Sequence, residues 1–320
     1  MPVKSLIIGC EGQDGWFLNQ HLNAIDHDVW GVSRRHLHPP LGDKFSPADI
    51  VDADAVDMLV EKIEPDQVYF LAAIHHAAGD TAINDFNVQQ KSQQVHVQAA
   101  DNLLAAIKKH NPDCRFFYAA SSHLFAGKTD DKPITETTPF SPVGIYARTK
   151  LEGVELCRKY REKHGVFALS GFLFNHESWR RDKKFLSRKI VHTAVKILRG
   201  QTSELILHDL SAQVDWSFAG DTVRAMRLML EMPVAEDLVI ASGKLHSVAD
   251  FTAITFEAIG LDWRDYVTEE PHNGQKPKAK APLLGDPTRL QHLTGWRAKV
   301  DLTQMIKLMI EMELQTSSSL

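Results

Sequence analysis

Three polar residues near the middle of the chain have types and a spacing that suit proton transfer. Tyr146 and Lys150 are four residues apart, which places both side chains on one face of a helix. A free phenol has a pKa of about 10, and a nearby ammonium favours its charged form. Ser121 lies about one strand–helix unit upstream and could hold a reacting group against the phenol. The trio predicts removal of a proton from a sugar or alcohol hydroxyl while hydride leaves the carbon.

The elements that position this trio alternate regularly along the first half of the chain. Apolar runs predict strands over 3–8, 28–32, 67–73, 115–120 and 167–174, and helical patterns cover 15–25, 53–63, 91–110 and 145–164. Strands that alternate with helices require crossover connections and a parallel sheet covered on both faces. We therefore predict an α/β fold with a doubly wound (Rossmann) parallel sheet.

Beyond Asn175 the alternation loosens, which indicates a smaller, discontinuous C-terminal substrate lobe. Helices are predicted over 185–199, 221–231 and 303–314, strands over 205–210 and 237–242, and a loop over 269–281. The second of these strands could return to the main sheet. We predict a dinucleotide-binding domain from 1–174 plus about 214–243, and a nucleotide-sugar lobe from about 175–213 plus 244–320.

The composition argues against several function classes. The 320 residues are 43% hydrophobic and 24% charged with a net charge of −5, which argues against nucleic acid or an anionic membrane as the main partner. Three cysteines (Cys10, Cys114, Cys157) have no pairing or metal spacing, as in a reducing cytoplasm. No apolar run reaches transmembrane length, and the first residues lack a signal-peptide layout. We expect a cytoplasmic protein without a metal site.

A glycine pattern and a basic pair indicate a dinucleotide. Gly9, Gly12 and Gly15 form GxxGxxG between the first strand and the first helix, where backbone and helix N-terminus can hold a pyrophosphate. The alternative is a glycine-rich turn without a ligand. The second strand runs into Arg34 and Arg35, whose guanidinium groups suit the 2′-phosphate of NADP. A solvated basic turn, with NAD as cofactor, is the other possibility.

Motifs over most of the length resemble those of the extended short-chain dehydrogenase/reductases, an NAD-dependent epimerase/dehydratase family. Within them the chain is most similar to the GDP-mannose 4,6-dehydratases. The shared stretches are GCEGQDG at 9–15, SRR at 33–35, LAA at 71–73, TTPFSP before Tyr146, FNHESWRR at 174–181, SRKI at 187–190, LLGDP at 283–287 and GW at 295–296.

This resemblance implies an NADP cofactor and a nucleotide-sugar substrate. The residues it places at the cofactor are Gly9, Gly12, Gln13, Asp14, Gly15, Arg34, Arg35, Asp49, Ile50, Leu71, Ala72, Ala73, His75, Tyr146, Lys150, His176 and Arg181. Asn175 and Lys189 would face the nucleotide diphosphate of the substrate, and Lys276 would contact its nucleotide. Ser121 stands at the position of the family's catalytic threonine.

Three departures from the family pattern bear on the reaction. His123 replaces the glutamate expected to move the C5 proton during loss of water. Val214 replaces an arginine, and Lys276 and Ala279 replace the arginine and glutamate of an RPxE segment. We therefore expect oxidation, reduction or epimerisation through hydride transfer at C4, with Ser121, Tyr146 and Lys150 as catalytic groups. The alternative is 4,6-dehydration with the His123 imidazole as the base.

Other residues leave further alternatives open. His123 could shape the substrate pocket instead of taking part in the reaction. His75 could narrow that pocket, and His76 could line it. His96 fits a packed or interface position. An apolar stripe of Ala99, Leu103, Leu104 and Ile107 either joins a four-helix dimer interface or faces the sheet. We expect a homodimer, with a tetramer as alternative. A catalytically silent dinucleotide-binding sensor is the alternative of another class.

Overall fold

Helices and strands alternate from the first residues of the chain onward. The structure, a computed structural model, describes residues 1–33, 44–74, 86–270 and 281–316. The strands are β1 (Lys4–Ile8), β2 (Asp28–Val32), β3 (Phe45–Ser46), β4 (Gln67–Phe70), β5 (Arg115–Ala119), β6 (Phe167–Leu173), β7 (Asn175–Glu177), β8 (Leu205–Leu207), β9 (Gln213–Phe218), β10 (Leu238–Ile240), β11 (Leu245–Ser247) and β12 (Val267–Glu269). The α-helices are α1 (Gln13–Asn23), α2 (Ala53–Ile63), α3 (Phe86–Gln93), α4 (Ala99–His110), α5 (Gly144–His164), α6 (Leu186–Leu198), α7 (Ala219–Leu230), α8 (Val248–Glu257), α9 (Thr288–Thr294) and α10 (Leu302–Thr316).

A seven-stranded parallel sheet forms the centre of the molecule, with the strand order β10-β6-β5-β4-β1-β2-β3. In its register, Ile8 of β1 lies beside Val32 of β2 and Phe70 of β4. Because the winding reverses between β1 and β4, a crevice opens at the carboxyl ends of these strands. Doubly wound sheets bind their ligands in such a crevice. The predicted α/β fold is confirmed.

Apolar helix faces cover both sides of the central sheet. Val56 of α2, Leu103 of α4 and Val154 of α5 are fully buried on one side. Leu18 of α1 and Met226 of α7 are fully buried on the other. Burying a side chain of this size contributes roughly 1.5–3 kcal/mol, so the two layers fix the sheet and the loops at its edge.

A separate apolar cluster joins α6, α8 and α10, as shown by the fully buried Ile190, Phe251 and Ile306. Two small sheets lie in the second half of the chain, with the orders β11-β9-β7 and β12-β8. Glu313 of α10 binds Arg188 and His192 of α6 at 2.7 Å each, which ties these two helices together. The division into two domains at the stated boundaries stays a prediction.

The structure differs from the predicted elements mainly where they are short. β10 returns to the main sheet beside β6, as predicted. The unpredicted elements are the strands β3, β7, β9, β11 and β12 and the helices α8 and α9, because two to ten residues carry little periodicity. The predicted 91–110 helix begins at Phe86 and includes a π-helical segment at Gln94–Gln98. Residues 271–280 of the predicted loop lie outside the described residues.

The apolar stripe of α4 faces the protein's own core. Ala99, Leu103, Leu104 and Ile107 are all fully buried in the cluster against the sheet. Of the two interpretations of this stripe, packing against the sheet is therefore correct, and the stripe gives no support to a dimer. Within the described part of the chain, no helix combines the length and the apolarity needed to cross a membrane.

Candidate active site

The loop between β1 and α1 has a conformation that requires glycine at two positions. Gly9 has a φ of 91°, and a Cβ atom there would lie 3.0 Å from the backbone nitrogen of Ala72. A Cβ atom at Gly15 would lie 2.6 Å from the Cα atom of Cys10, closer than atoms can pack. Gly12 is the N-cap of α1. The tight turn leaves the helix N-terminus facing the crevice, an arrangement that fits a pyrophosphate.

Side chains at the start of α1 connect this glycine loop to β7 and the residue after it. Gln13 donates to the carbonyl oxygen of His176 at 3.1 Å and accepts from the Ser178 hydroxyl at 2.8 Å. His176 donates from Nδ1 to the Phe174 carbonyl oxygen at 2.7 Å and from Nε2 to Asp14 at 3.0 Å. Both ring nitrogens therefore carry a proton, and the imidazole is cationic.

The ion pair between Asp14 and His176 changes the pKa of both partners. Burial alone would lower the pKa of His176, but the Asp14 carboxylate outweighs this effect and the pKa is raised. Burial alone would raise the pKa of Asp14, but the charge of His176 outweighs it and the pKa is lowered. The pair is thus charged on both sides between these two shifted pKa values, a window that the ion pair widens at each end.

We expect Asp14→Asn to destabilise the protein in a pH-dependent way. Because the pKa of His176 is higher in the folded protein than in the unfolded chain, protonated His176 stabilises the fold. This stabilisation is complete below the unfolded-state pKa of about 6.5 and is lost as the pH rises through the folded-state pKa. The pKa of Asp14 is lower in the folded protein, so the stabilisation by its carboxylate is present above the unfolded-state pKa of about 3.9. That stabilisation is lost as the pH falls through the folded-state pKa of Asp14. Urea unfolding from pH 5 to 9 should show a deficit of about 1–3 kcal/mol near pH 6 that shrinks at alkaline pH.

The control for this experiment is Asp131→Asn, which removes an exposed carboxylate from the surface. The control should unfold with nearly the parent's free energy at every pH, because exposed charges contribute little. A deficit of Asp14→Asn that stays constant from pH 5 to 9 would contradict the cationic assignment of His176.

Tyr146, Ser121 and His123 lie together beyond the carboxyl end of β5. The Ser121 hydroxyl accepts from the backbone N–H of His123 at 3.2 Å and caps the 3₁₀ helix Ser122–Phe125. The same hydroxyl is hydrogen-bonded to the phenol of Tyr146. The exposed His123 ring stands edge-on to the Tyr146 ring, with the ring centroids 5.8 Å apart. These three predicted catalytic residues therefore share one wall of the site.

Lys150 is fully enclosed one turn further along α5. Its Nζ donates to the carbonyl oxygen of Ala119 at 2.8 Å and lies 4.9 Å from the centroid of the Tyr118 ring. Burial lowers the pKa of Lys150 to about 7. At neutral pH this amine can therefore lose a proton more readily than an exposed lysine.

The phenol of Tyr146 is less acidic than the sequence predicts. Burial raises its pKa, while the hydrogen bond from Ser121 and the positive charge of Arg181 act in the opposite direction. For the protein alone, the prediction that Lys150 lowers this pKa is therefore wrong, because desolvation outweighs the groups that favour the phenolate. The phenol is protonated at neutral pH, which suits it to donate a proton.

His96 is a buried partner of the site whose contacts the sequence did not predict. It lies in the π-helical segment, and its Nε2 accepts from the backbone N–H of Ile74 at 3.0 Å. Nδ1 therefore carries the proton, and it lies 2.8 Å from the Thr149 hydroxyl of α5. The ring also stands edge-on to Tyr146, with 5.5 Å between the centroids. His96 thus connects the loop after β4 to the helix that carries Tyr146, and its packed position agrees with the sequence interpretation.

The predicted phosphate and substrate residues follow β6 and continue into α6. The Arg181 guanidinium stacks on Phe185 at 4.0 Å, and its charge acts on both Asp14 and Tyr146. Asn175 is exposed at the first position of β7. Lys189 donates to the carbonyl oxygen of Ile206 at 2.7 Å, so its ammonium is bound by the protein itself.

The remaining predicted cofactor residues lie at the ends of β3 and β4. Leu71, Ala72 and Ala73 directly follow β4, and Ala73 is exposed. Asp49 is exposed, whereas Ile50 is buried and its carbonyl oxygen accepts from Asn102 at 3.2 Å. The residues singled out in the sequence that lie outside the described part of the chain are Arg34, Arg35, His75, His76, Lys276 and Ala279.

Comparisons with known families and curated proteins agree on one group. The family model described as GDP-mannose 4,6 dehydratase matches residues 6–309. The chain is 35% identical over 331 residues to GDP-mannose 4,6 dehydratase 2 of Arabidopsis thaliana, covering 97% of this chain and 87% of the plant protein. It is 30% identical over 360 residues to GDP-mannose 4,6-dehydratase of Vibrio cholerae, covering 99% and 95%.

Solved structures with the same fold include proteins that carry dinucleotides. RMD from Pseudomonas aeruginosa complexed with NADPH superposes with a TM-score of 0.84 at 19% identity, covering 98% of this chain and 99% of that one. UDP-glucose 4-epimerase of Thermus thermophilus complexed with NAD superposes with a TM-score of 0.82 at 20% identity, covering 98% and 99%. At this identity the similarity concerns the fold.

Proposed function

Because this chain belongs to the GDP-mannose 4,6-dehydratase family of extended short-chain dehydrogenase/reductases, we propose that it is an NADP-dependent enzyme acting at C4 of a nucleotide-activated sugar. A GDP-sugar is the first candidate substrate. The observation that carries this proposal is the environment of the Tyr146 phenol, which is hydrogen-bonded to Ser121. The phenol also lies near the charges of Asp14, at the start of α1, and of Arg181, which follows β7. The dinucleotide, when bound, supplies or accepts the hydride.

The protein's own groups would move the proton of the C4 oxygen. Ser121 would hold that oxygen against Tyr146, whose phenol donates its proton when a C4 ketone is reduced. When a C4 alcohol is oxidised, the phenolate form of Tyr146 would accept the alcohol proton. Burial keeps the phenol protonated, which favours its acid role in the protein alone. Lys150, with a pKa of about 7, would take up or release the compensating proton beside Ala119.

Residues at the mouth of the crevice would hold the nucleotide diphosphate. Arg181 carries a fixed positive charge near Tyr146, and Asn175 offers an exposed amide at the end of β6. Lys189 would have to leave the Ile206 carbonyl to contribute its ammonium. Val214, half-buried in β9, pairs with His246 and brings no charge to a position at which the family pattern has an arginine.

A 4,6-dehydratase is the second candidate, favoured by the position of His123. Its ring lies 5.8 Å from the Tyr146 ring and is exposed to the site. A neutral imidazole can accept a proton from a sugar carbon. The imidazole cannot reproduce the carboxylate geometry of the family's glutamate. We therefore rank hydride transfer at C4 without loss of water as the first candidate reaction.

Product analysis decides between these two reactions. The purified protein would be incubated with GDP-mannose and NADP(H), and the sugar followed by NMR. We expect the parent to leave the C6 hydroxyl in place and His123→Glu to form the 4-keto-6-deoxy sugar. His123→Gln is the matched control, because it offers a similar polar side chain without a carboxylate.

Two results would contradict this proposal. Clear formation of the 4-keto-6-deoxy sugar by the parent would show that His123 serves dehydration. No turnover of any nucleotide sugar by a protein that binds dinucleotide would instead indicate a silent sensor.

We further propose that the protein works in the cytoplasm as a homodimer, or as a tetramer. The charge balance and the cysteine usage support the location. The dimer rests on the family resemblance, because the α4 stripe is buried in the protein's own core. Light scattering after size-exclusion chromatography measures the assembly directly, and a monomer would contradict the proposal.

A further inference from the structure

A carboxylate inside the glycine loop has no counterpart in the cofactor assignments made above. Glu11 lies between Gly9 and Gly12 and is half-buried. Its Oε2 accepts from the Ser33 hydroxyl at 2.7 Å. Its Oε1 is buried and has no hydrogen-bond partner among the described residues. A buried oxygen without a donor is unfavourable, so a ligand that brings donors would be favoured.

Backbone hydrogen bonds place this carboxylate above the carboxyl end of β2. The N–H groups of Gly9 and Cys10 both donate to the carbonyl oxygen of Val32, at 2.8 and 3.3 Å. Val32 is the last residue of β2, and Ser33 follows it directly. Glu11 therefore lies beside the residue that follows β2, next to the point at which doubly wound folds commonly place an acidic residue from the second strand. Here the acid comes from the loop instead.

An acid at the end of the second strand recognises the adenosine ribose of a dinucleotide. A carboxylate accepts hydrogen bonds from the 2′- and 3′-hydroxyls of NAD, whereas it repels the 2′-phosphate of NADP. Arg34 and Arg35 follow Ser33 in the sequence, and guanidinium groups favour a 2′-phosphate, so the charge of Glu11 acts against the NADP preference that the sequence predicts.

We infer that Glu11 is a specificity-determining residue that weakens the preference for NADP, so that this protein binds NAD(H) with an affinity comparable to that for NADP(H). The inference rests on the proposed function, since it concerns the dinucleotide of the same site. It concerns how strongly the site distinguishes the two forms of that dinucleotide and leaves the reaction at C4 unaffected.

The test is a comparison of dinucleotide affinities in the full chain. Dissociation constants for NAD+ and NADP+ would be measured by isothermal titration calorimetry for the parent and for Glu11→Gln, which keeps an acceptor for Ser33 and removes the charge. We expect comparable affinities in the parent, and a shift of the affinity ratio toward NADP by on the order of tenfold or more in the variant. Glu61→Gln, an exposed change at the end of α2, is the matched control and should keep the parent's ratio.

The possible outcomes separate this inference from the proposed function. A parent that binds NADP+ more than about a hundredfold tighter than NAD+, or a ratio unchanged in Glu11→Gln, would overturn the inference while the proposed function stands. Failure of the folded parent to bind either dinucleotide would overturn the proposed function, and the inference with it.

Discussion

Replacing Tyr146 with phenylalanine is expected to reduce the turnover of a nucleotide sugar by roughly 10²–10⁴-fold, the range typical of a lost general acid–base group. The ring would keep its edge-on contacts with His96 and His123, so the fold should be preserved. Only the phenol oxygen, with its hydrogen bond to Ser121, is removed. Steady-state rates with GDP-mannose as the first substrate would measure the effect.

The pH dependence gives this prediction a second readout. Because burial raises the pKa of Tyr146, the parent's rate of sugar oxidation should rise with pH into the alkaline range, and the residual rate of the variant should not. Tyr266→Phe is the matched control, since that half-buried tyrosine packs on Phe256 in the separate apolar cluster that joins α6, α8 and α10. Equal losses in both variants would show that Tyr146 acts through the fold alone.

Gly15→Ala should abolish dinucleotide binding and destabilise the protein. The added Cβ atom would lie 2.6 Å from the Cα atom of Cys10, so either the turn or the start of α1 must move. Overpacking of this kind costs about 1–3 kcal/mol, and the displaced N–H groups could no longer converge on a pyrophosphate. Calorimetric titration with NADP+ and NAD+ measures the binding, and urea unfolding measures the stability.

Gly165→Ala separates the loss of binding from the loss of stability. Gly165 ends α5 with a φ of 70°, and a Cβ atom there would meet no other atom within 4 Å. Its replacement should therefore cost about 1–2 kcal/mol of backbone strain and leave dinucleotide affinity at the parent's value. Binding of dinucleotide by Gly15→Ala with parental affinity would show that the loop does not hold the pyrophosphate.

The larger elements were predictable because their patterns reflect burial directly. β4 and β5 are covered on both faces, so they read as continuous apolar runs such as Phe116 to Ala119. The four-residue spacing of Tyr146 and Lys150 correctly placed both on α5. The glycine pattern predicted a tight turn at the right junction, since Gly9 and Gly15 have no room for a side chain.

The contacts that define the site could not be predicted in the same way. Asp14 and His176 are far apart in sequence, and no local periodicity indicates that they meet. The role of His96 depends on a π-helical segment that turns its ring toward Thr149. The pKa of Tyr146 depends on how deeply the phenol is buried, which the spacing of residues does not reveal.

The three hydrogen bonds between the start of α1 and the β7 region have a consequence for motion. Gln13 and Asp14 are held by His176 and Ser178, so the two walls of the crevice are joined before any ligand arrives. A fluctuation that exposes the amides of the glycine loop to solvent must break these bonds as well. The two walls therefore form one cooperative unit in local unfolding, and their amide protons should exchange with water at matching rates.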